Sequence, residues 1–304
     1  MPASTKTTPS DGYSSSALSA NTRKAHRLDL AHFEAWGGSL PSTPEQMVAY
    51  LIAHARTHRP NTLGRWLASI SKAHQALDAL NPCTSLRVRD EMRGIRNTFG
   101  TEQRRVSPAM RDELVAMVDA IEDGITGVRD KALLLIGFSA ALRRSELAAL
   151  EVDRLHFDRR GLLILLGKTK TDQAGAGAAI AVPRAKNGVY CPVTALKAWL
   201  GELKRAGHVS GPVFRRISKA GRIHTDPLNS ASIARLVKAY AQKAGLDPSL
   251  YSGHSLRAGL ATSSAQEGKA FHKIKAQTRH KSDATLLRYV RDGELFRDNA
   301  ADLL

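Results

Sequence analysis

The chain has 304 residues with 45 Lys and Arg against 28 Asp and Glu, a net charge of +17, and 42% of its residues are hydrophobic. That hydrophobic content excludes a disordered chain, and the length predicts two domains. The positive charge indicates a polyanionic partner. Aromatic residues make up only 5%, which disfavours base stacking on single strands, so we expect duplex DNA bound through its phosphates.

The sequence offers no pattern typical of a membrane span, an export signal or a metal site. The most apolar stretch, 132–150, is interrupted by charged residues, and the N-terminus is polar and rich in Ser and Thr. Cys83 and Cys191 lie in no ligand pattern, and the five histidines before residue 80 are interpreted as surface or groove residues. We therefore expect a cytoplasmic, nucleoid-associated protein without disulfide, bound metal or membrane contact.

The first hundred residues predict a disordered tail at 1–20, followed by a compact all-α domain at 21–100. Ser, Thr and Pro dominate the tail. Four helical signals follow, at 21–36, after the cap and proline of 43–46, from 61–62, and at 84–99. The last helix has an arginine-rich outer face, and the polar segment 101–106 is the expected interdomain linker. The expected DNA-binding residues of this helix and the linker are Arg87, Arg89, Arg93, Arg96, Arg104 and Arg105.

Residues 107–304 predict a second, mixed domain. Its helical signals begin at Ser107-Pro108 and cover 108–121, 129–150, 192–206, 230–244 and 254–267, with shorter pieces toward the C-terminus. Two apolar segments, 162–166 and 179–182, flank a turn-like 167–172 and predict a β-hairpin.

This second domain carries the groups that metal-free DNA cleavage requires, which are a nucleophile, cations for the phosphate and a proton donor. Arg143 follows Ala-Leu in an apolar helical stretch, where burial is costly unless the guanidinium meets an anion. His254 and Arg257 are three residues apart, so on a helix their side chains share a face. His280 and Tyr289 follow in the segment His-Lys-Ser-x-x-Thr-x-x-x-Tyr.

In this order, these segments resemble the motifs of the tyrosine recombinase (phage integrase) family. The resemblance covers nearly the whole chain, with specific motifs in the second half and general helical similarity in the first. The family's catalytic lysine lies in a β-hairpin turn, where Thr169-Lys170-Thr171 indicates Lys170 and leaves Lys168 as an alternative. The residues that match the family's catalytic positions are Arg143, Lys170, His254, Arg257, His280 and Tyr289.

The resemblance implies a mainly α fold with a small β component. An N-terminal helical core-binding (SAM-like) domain and an α+β catalytic domain would form a C-shaped clamp on DNA. It also implies cleavage by Tyr289 through a 3′-phosphotyrosyl intermediate and a Holliday junction, with His254 accepting a proton, His280 bonding the phosphate and Lys170 protonating the 5′-oxygen. Neither ATP nor metal is expected. The expected partners are duplex DNA with inverted repeats and a homotetramer in which the segment 296–304 docks on a neighbour.

Two departures from the family pattern concern Ala141 and Arg279, which occupy positions where glycine is common. Glu146 is expected either to orient a catalytic neighbour or to form an ordinary helical ion pair. Tyr240 and Tyr251 compete with Tyr289 as nucleophile, although the motifs assign them no such role. Type IB topoisomerase activity and a catalytically inactive DNA-binding accessory factor remain the alternative functions.

Overall fold

The computed structural model describes residues 19–101, 106–167, 177–294 and 301. Most of the predicted tail, four of the six residues of the predicted linker and all but residue 167 of the predicted hairpin turn therefore lie outside the described residues. The chain divides into two compact units, Met1–Arg104 and Arg105–Leu304. Among the described residues, we find no helix that combines the length and apolar character required to cross a bilayer.

The described part of the first unit contains four α-helices, whose positions agree with the sequence signals to within about three residues. Thr43 caps the second helix by accepting from the backbone N–H of Gln46, and a proline occupies the first turn of that helix. Ser85 caps the fourth helix in the same way through the N–H of Val88. The helices are α1 (Ala20–Ala35), α2 (Pro44–His54), α3 (Pro60–Ala76) and α4 (Leu86–Phe99), with a 3₁₀ turn at Pro82–Thr84.

The core of this unit is formed by the inward faces of all four helices. Asp29 is buried beneath α3, where Ser69 donates to its carboxylate at 2.7 Å and Arg65 forms an ion pair with it. The fully or nearly fully buried apolar side chains are Phe33, Met47, Tyr50, Leu51, Leu63, Trp66, Ile70, Val88, Met92 and Ile95.

The second unit combines eight helices with two small antiparallel sheets in its described part. The helices are α5 (Arg111–Asp119), α6 (Ile125–Ser139), α7 (Arg144–Ala148), α8 (Pro192–Arg205), α9 (Ser230–Lys243), α10 (Ser255–Gln266), α11 (Phe271–Thr278) and α12 (Asp283–Glu294). One sheet has the order β1 (Leu155–Phe157), β2 (Gly161–Leu166), β3 (Ala178–Pro183), and the other pairs β4 (Arg215–Ile217) with β5 (Ile223–Pro227). The β2–β3 hairpin was predicted, whereas β1, β4 and β5 were not.

One helix prediction in this unit is wrong, and another places the start of its helix three residues too early. The helix predicted at 129–150 ends at Ser139 and resumes at Arg144, because Ala141 adopts a left-handed conformation with φ of 46°. The helix predicted from Pro108 starts at Arg111. The preceding backbone is extended, and Ser107 and Ala109 donate their N–H groups to carbonyls of Leu250 and Ser255.

Close helix packing places α12 against α10. A Cβ added to Gly293 would lie 2.6 Å from the carbonyl oxygen of Thr262, so only glycine permits this approach. The contact is completed by a small apolar cluster against which Tyr289 is partly buried. The buried members of that cluster are Ala261, Ala265, Ile274, Leu286 and Val290. This packing fixes the face of α12 that carries the tyrosine.

The interpretation of the five histidines of the first unit as surface or groove residues is wrong for His74, while His26, His32, His54 and His58 are partly exposed. His74 is fully buried and accepts from the N–H of Ser42. His32 stacks on Trp66 with ring centroids 4.1 Å apart, and the rings of His54 and His58 lie within 6 Å of it. The Nε2 atom of His54 is buried and has no hydrogen-bond partner among the described residues. Burial, followed by the charges of His32 and His58, lowers the pKa of His54.

Because the pKa of His54 is lowered in the folded state, the unfolded state takes up a proton first as the pH falls. We expect the stability of the first unit to be maximal above about pH 7 and to decline as the pH falls through about 6.5, the value of an unperturbed histidine. Urea unfolding of a Trp199→Phe background, whose emission comes only from Trp36 and Trp66, measures this decline.

His54→Gln should flatten this pH dependence, whereas His26→Gln, outside the cluster, should leave it unchanged. An equal slope for the His54→Gln variant and its parent would contradict the assignment.

Candidate active site

The second unit brings together five of the six predicted catalytic residues. Arg143 is the N-cap of α7, His254 the N-cap of α10, and Arg257 lies in the first turn of α10. His280 lies just beyond the end of α11, and Tyr289 lies on α12. The sixth, Lys170, and its alternative Lys168 lie outside the described residues, as do Arg104 and Arg105.

The carboxylate of Glu146 organises the turn that carries Arg143. It accepts from the backbone N–H of Arg143 at 2.9 Å and from its guanidinium at 2.5 Å. It also accepts from the guanidinium of Arg279 at 2.8 Å. Burial opposes the ionisation of Glu146, but the Arg143 backbone bond and the charges of both arginines outweigh it and lower its pKa. Of the two roles expected for Glu146, these contacts favour that of orienting its neighbours.

Arg257 is buried to an unusual degree for an arginine, with 1% of its surface exposed. Its Nη1 donates to the carbonyl of Ala141 at 2.7 Å, while its Nη2 is buried and has no hydrogen-bond partner among the described residues. Burial, with the charges of Arg143 and Arg279, lowers its pKa to about 9. A buried cation with an unsatisfied donor is costly, and an anion that accepted from this atom would offset that cost.

The hydroxyl of Tyr289 lies 3.3 Å from Nε2 of His254. Partial burial, followed by the charges of Arg257 and Arg143, lowers the pKa of His254. The imidazole is therefore neutral near pH 7 and can accept a proton from the phenol.

The ring of His280 lies 5.8 Å from that of Tyr289, and its neighbours fix its tautomer. The hydroxyl of Thr278 donates to the carbonyl of Ile274 at 2.7 Å. Its oxygen therefore accepts from Nδ1–H of His280, at 2.8 Å. Burial and then the charge of Arg257 are the main causes that lower the pKa of His280 to about 4.

The two competing tyrosines are engaged elsewhere. Tyr240 donates to the carboxylate of Asp130 at 2.9 Å, and Tyr251 donates to that of Glu113 at 2.8 Å. Burial raises the pKa of both phenols, with the neighbouring carboxylates adding to the effect. Tyr289 is the tyrosine that lies beside the histidines of the site.

Arg279 belongs to this site although its sequence motif assigns it no role. Its guanidinium contacts Glu146 and the carbonyls of Ala140 and Ala141, on the same turn that precedes α7. The sequence did mark Arg279 as unusual, because it replaces the glycine that commonly precedes the second histidine of the motif. That departure was the one signal that could have indicated a role for its side chain.

The second unit is mainly helical and places a tyrosine beside two arginines and two histidines. This combination is typical of the tyrosine recombinase class of proteins. Residues 110–294 match the model of the phage integrase family, which is more than half of the chain. The chain therefore belongs to the phage integrase family and is a tyrosine-type recombinase, as the motifs predicted.

Two curated relatives support this membership. An integrase/recombinase xerD homolog of Selenomonas ruminantium is 39% identical over 291 residues, covering 92% of this chain and 84% of that protein. A tyrosine recombinase XerC of Xylella fastidiosa (strain M23) is 28% identical over 260 residues, covering 81% of this chain and 77% of that protein.

Solved structures confirm the fold class. XerH bound to a palindromic difH substrate, in a post-cleavage complex, aligns with a TM-score of 0.64 at 16% identity, covering 90% of this chain and 76% of that one. A lambda integrase dimer bound to a COC′ core site aligns with the same TM-score and identity, covering 96% of this chain and 94% of that one.

Replacing Glu146 with Gln should destabilise the second unit by roughly 3 kcal/mol, because partly buried guanidiniums then lose the charge that compensates them. Urea denaturation of the whole chain at pH 7 measures this loss, and added sulfate should restore part of it. Glu151→Gln removes an exposed carboxylate nearby and should change stability by less than about 0.5 kcal/mol. Equal effects of the two substitutions would refute a special role for Glu146.

Proposed function

We propose that this chain cuts and rejoins duplex DNA at specific sites, with Tyr289 as the nucleophile. The observation that carries this proposal is the placement of the Tyr289 hydroxyl 3.3 Å from His254 Nε2. It is joined by the buried Nη2 of Arg257, which has no hydrogen-bond partner within the described part of the chain. A nucleophile, its proton acceptor and an anion-binding cation are then all present.

The scissile phosphate would bind between Arg143 and Arg257. Arginine suits this task, since its planar fork can donate two hydrogen bonds to phosphate oxygens. His280 would donate a further bond from Nε2. Because its Nδ1–H is used by Thr278, that donation requires the imidazolium form, which the charge of an entering phosphate favours.

The reaction would proceed by transesterification at phosphorus. The Tyr289 oxygen forms a bond to phosphorus as its proton passes to His254, and the bond from phosphorus to the 5′-oxygen breaks. Lys170, or Lys168 in the same turn, would protonate that leaving oxygen. A 5′-hydroxyl of a partner strand then attacks the 3′-phosphotyrosyl bond and releases the tyrosine. Repetition on the second pair of strands passes through a Holliday junction.

Neither ATP nor a divalent metal is needed in this scheme. The phosphotyrosyl bond conserves the energy of the phosphodiester that was broken, so no external energy source enters the cycle. The positive charge that a metal would supply to the transition state comes from arginine side chains. We place this activity in the cytoplasm, on nucleoid DNA.

Helix α4 would supply phosphate contacts from the first unit. Arg87 and Arg93 are 65% and 71% exposed and pair with carboxylates of Glu45 and Asp90. Arg89 and Arg96 are also exposed, and no described carboxylate lies within ion-pair distance of either. With Arg93 they line an open groove of about 290 Å³. Arg104 and Arg105 would extend the contact beyond α4.

A homotetramer on inverted repeats would perform the exchange, with the C-terminal segment of one subunit docked on the next. The segment 296–304 is apolar at Phe296, Leu303 and Leu304 and carries Asp298 and Asp302 against the single cation Arg297. The second unit offers an open groove of about 610 Å³ with an apolar floor and a basic rim, which suits it. The floor includes Leu114, Leu135, Phe138, Leu260 and Ile274, and the rim has Arg111, Arg184, Lys269 and Lys273.

Covalent trapping in EDTA tests the chemistry directly. Nicked suicide duplexes from the neighbouring genomic DNA should give a denaturation-resistant protein–DNA band with the wild type. Tyr289→Phe should bind the same DNA and lose the band, whereas Tyr13→Phe, in the predicted tail, should keep it. Duplexes with two inverted half-sites should trap more protein than single half-sites.

Trapping on DNA of any sequence, with relaxation of supercoiled plasmid, would favour a topoisomerase. Binding without a band in the wild type would favour an inactive accessory factor and reject the proposed reaction.

An Arg89→Gln/Arg96→Gln double variant should bind site DNA more weakly and with a smaller salt dependence. If each arginine neutralises one phosphate, the slope of log K against log salt should fall by about 2. Fluorescence anisotropy over a salt series measures the slope. Lys24→Gln/Arg27→Gln removes the same charge from α1 and should leave the slope nearly unchanged. Equal slopes for the two variants would argue against α4 as the contact.

A further inference from the structure

Arg279 holds a backbone conformation that non-glycine residues rarely adopt. It ends α11 with φ of 55° and ψ of 41°, and its N–H closes the helix on the carbonyl of Lys275. A side chain in this region costs about 1–2 kcal/mol, which glycine avoids. An arginine at this position is therefore stable only if its side chain makes contacts that offset this cost.

Those contacts are made with the turn that precedes α7. The guanidinium donates to the carbonyls of Ala140 and Ala141, each at 3.2 Å, and to the carboxylate of Glu146 at 2.8 Å. It also donates to the carbonyl of Gln277 at 3.0 Å, on its own segment. The side chain therefore joins two segments 133 or more residues apart in sequence.

The backbone of Arg279 strengthens the same junction. Its carbonyl accepts from Arg143 at 3.4 Å, and the Ala141 carbonyl that it contacts also accepts from Arg257 at 2.7 Å. Arg279 thus contacts Glu146 and the Ala141 carbonyl, which hold Arg143 and Arg257 respectively. It also directly precedes His280 in the chain.

We propose that Arg279 is a positioning residue for strand cleavage, and that its guanidinium locks the turn carrying Arg143 to the segment carrying His280. This inference rests on the proposed function, since it concerns the geometry of that reaction. Arg279 acts through its neighbours and is assigned no contact with DNA. Its charge is partly compensated by Glu146, so its main contribution is to fix distances within the site.

The Arg279→Gly variant suits the test, because glycine accepts the left-handed backbone and removes only the side chain. In single-turnover trapping at saturating protein, its cleavage rate should fall about 100-fold, the scale expected for displacement of reacting groups by an ångström. DNA affinity should stay the same. Lys238→Gln, which removes an exposed charge on α9, should cleave at the wild-type rate.

The pH profile separates positioning from general structural damage. Burial is the main cause that lowers the pKa of His280, and electrostatic interactions with Arg257, Arg143, His254 and Arg279 lower it further. Loss of the Arg279 charge should move the limb of the profile that His280 controls to higher pH. Arg279→Lys keeps the charge but cannot reach all four acceptors, so its rate should fall without this shift.

Wild-type cleavage by Arg279→Gly with an unshifted profile would overturn the proposal. If that variant melts at a clearly lower temperature, Arg279→Lys decides. A wild-type rate with lysine would show that charge alone suffices and would reject the positioning role, whereas a slow rate in a stable lysine variant supports it. Failure of the wild type itself to trap DNA would reject the proposed function instead.

Discussion

The arrangement of this site depends on one buried carboxylate that compensates several cations. Without Glu146, the charges of Arg143, Arg257 and Arg279 would repel one another in a partly dehydrated pocket. The carboxylate bonds two of them directly, and Arg257 reaches the adjacent carbonyl of Ala141. The cluster keeps an excess of positive charge. That excess lowers the pKa of His254 and His280, in each case after the effect of burial, and favours the binding of an anion.

The surrounding helices fix the positions of Arg257 and Tyr289. Arg257 is held by α10, and α10 is also the helix against which α12 packs at Gly293. The same helix therefore positions Arg257 directly and Tyr289 through its contact with α12. The small size of the contacting cluster limits the energy that holds α12 in place, because few apolar side chains are buried there.

Much of this could be predicted from sequence, and the failures have physical causes. The capping residues Thr43 and Ser85 and the periodic apolar faces locate the helices of the first unit, because these signals are local. The break after Ser139 was missed, since a left-handed alanine leaves no mark on composition or periodicity. Strands β1, β4 and β5 have only three to five residues and give no reliable alternation. The motifs predict the candidate catalytic residues, and the structure brings five of the six together, but the contact of Arg279 with Glu146 joins distant segments and follows from no local pattern.

Both departures from the family pattern lie at left-handed positions that border the site, Ala141 with φ of 46° and Arg279 with φ of 55°. Non-glycine residues in this region are strained, and such strain persists where surrounding contacts overdetermine the backbone. Here the two residues provide those contacts for each other, because the Arg279 guanidinium bonds the Ala141 carbonyl. A pair of glycines would relieve the strain but would leave both turns with more conformational freedom. Alanine and arginine at these two positions therefore add backbone strain but reduce the conformational freedom of the two turns around the proposed phosphate position.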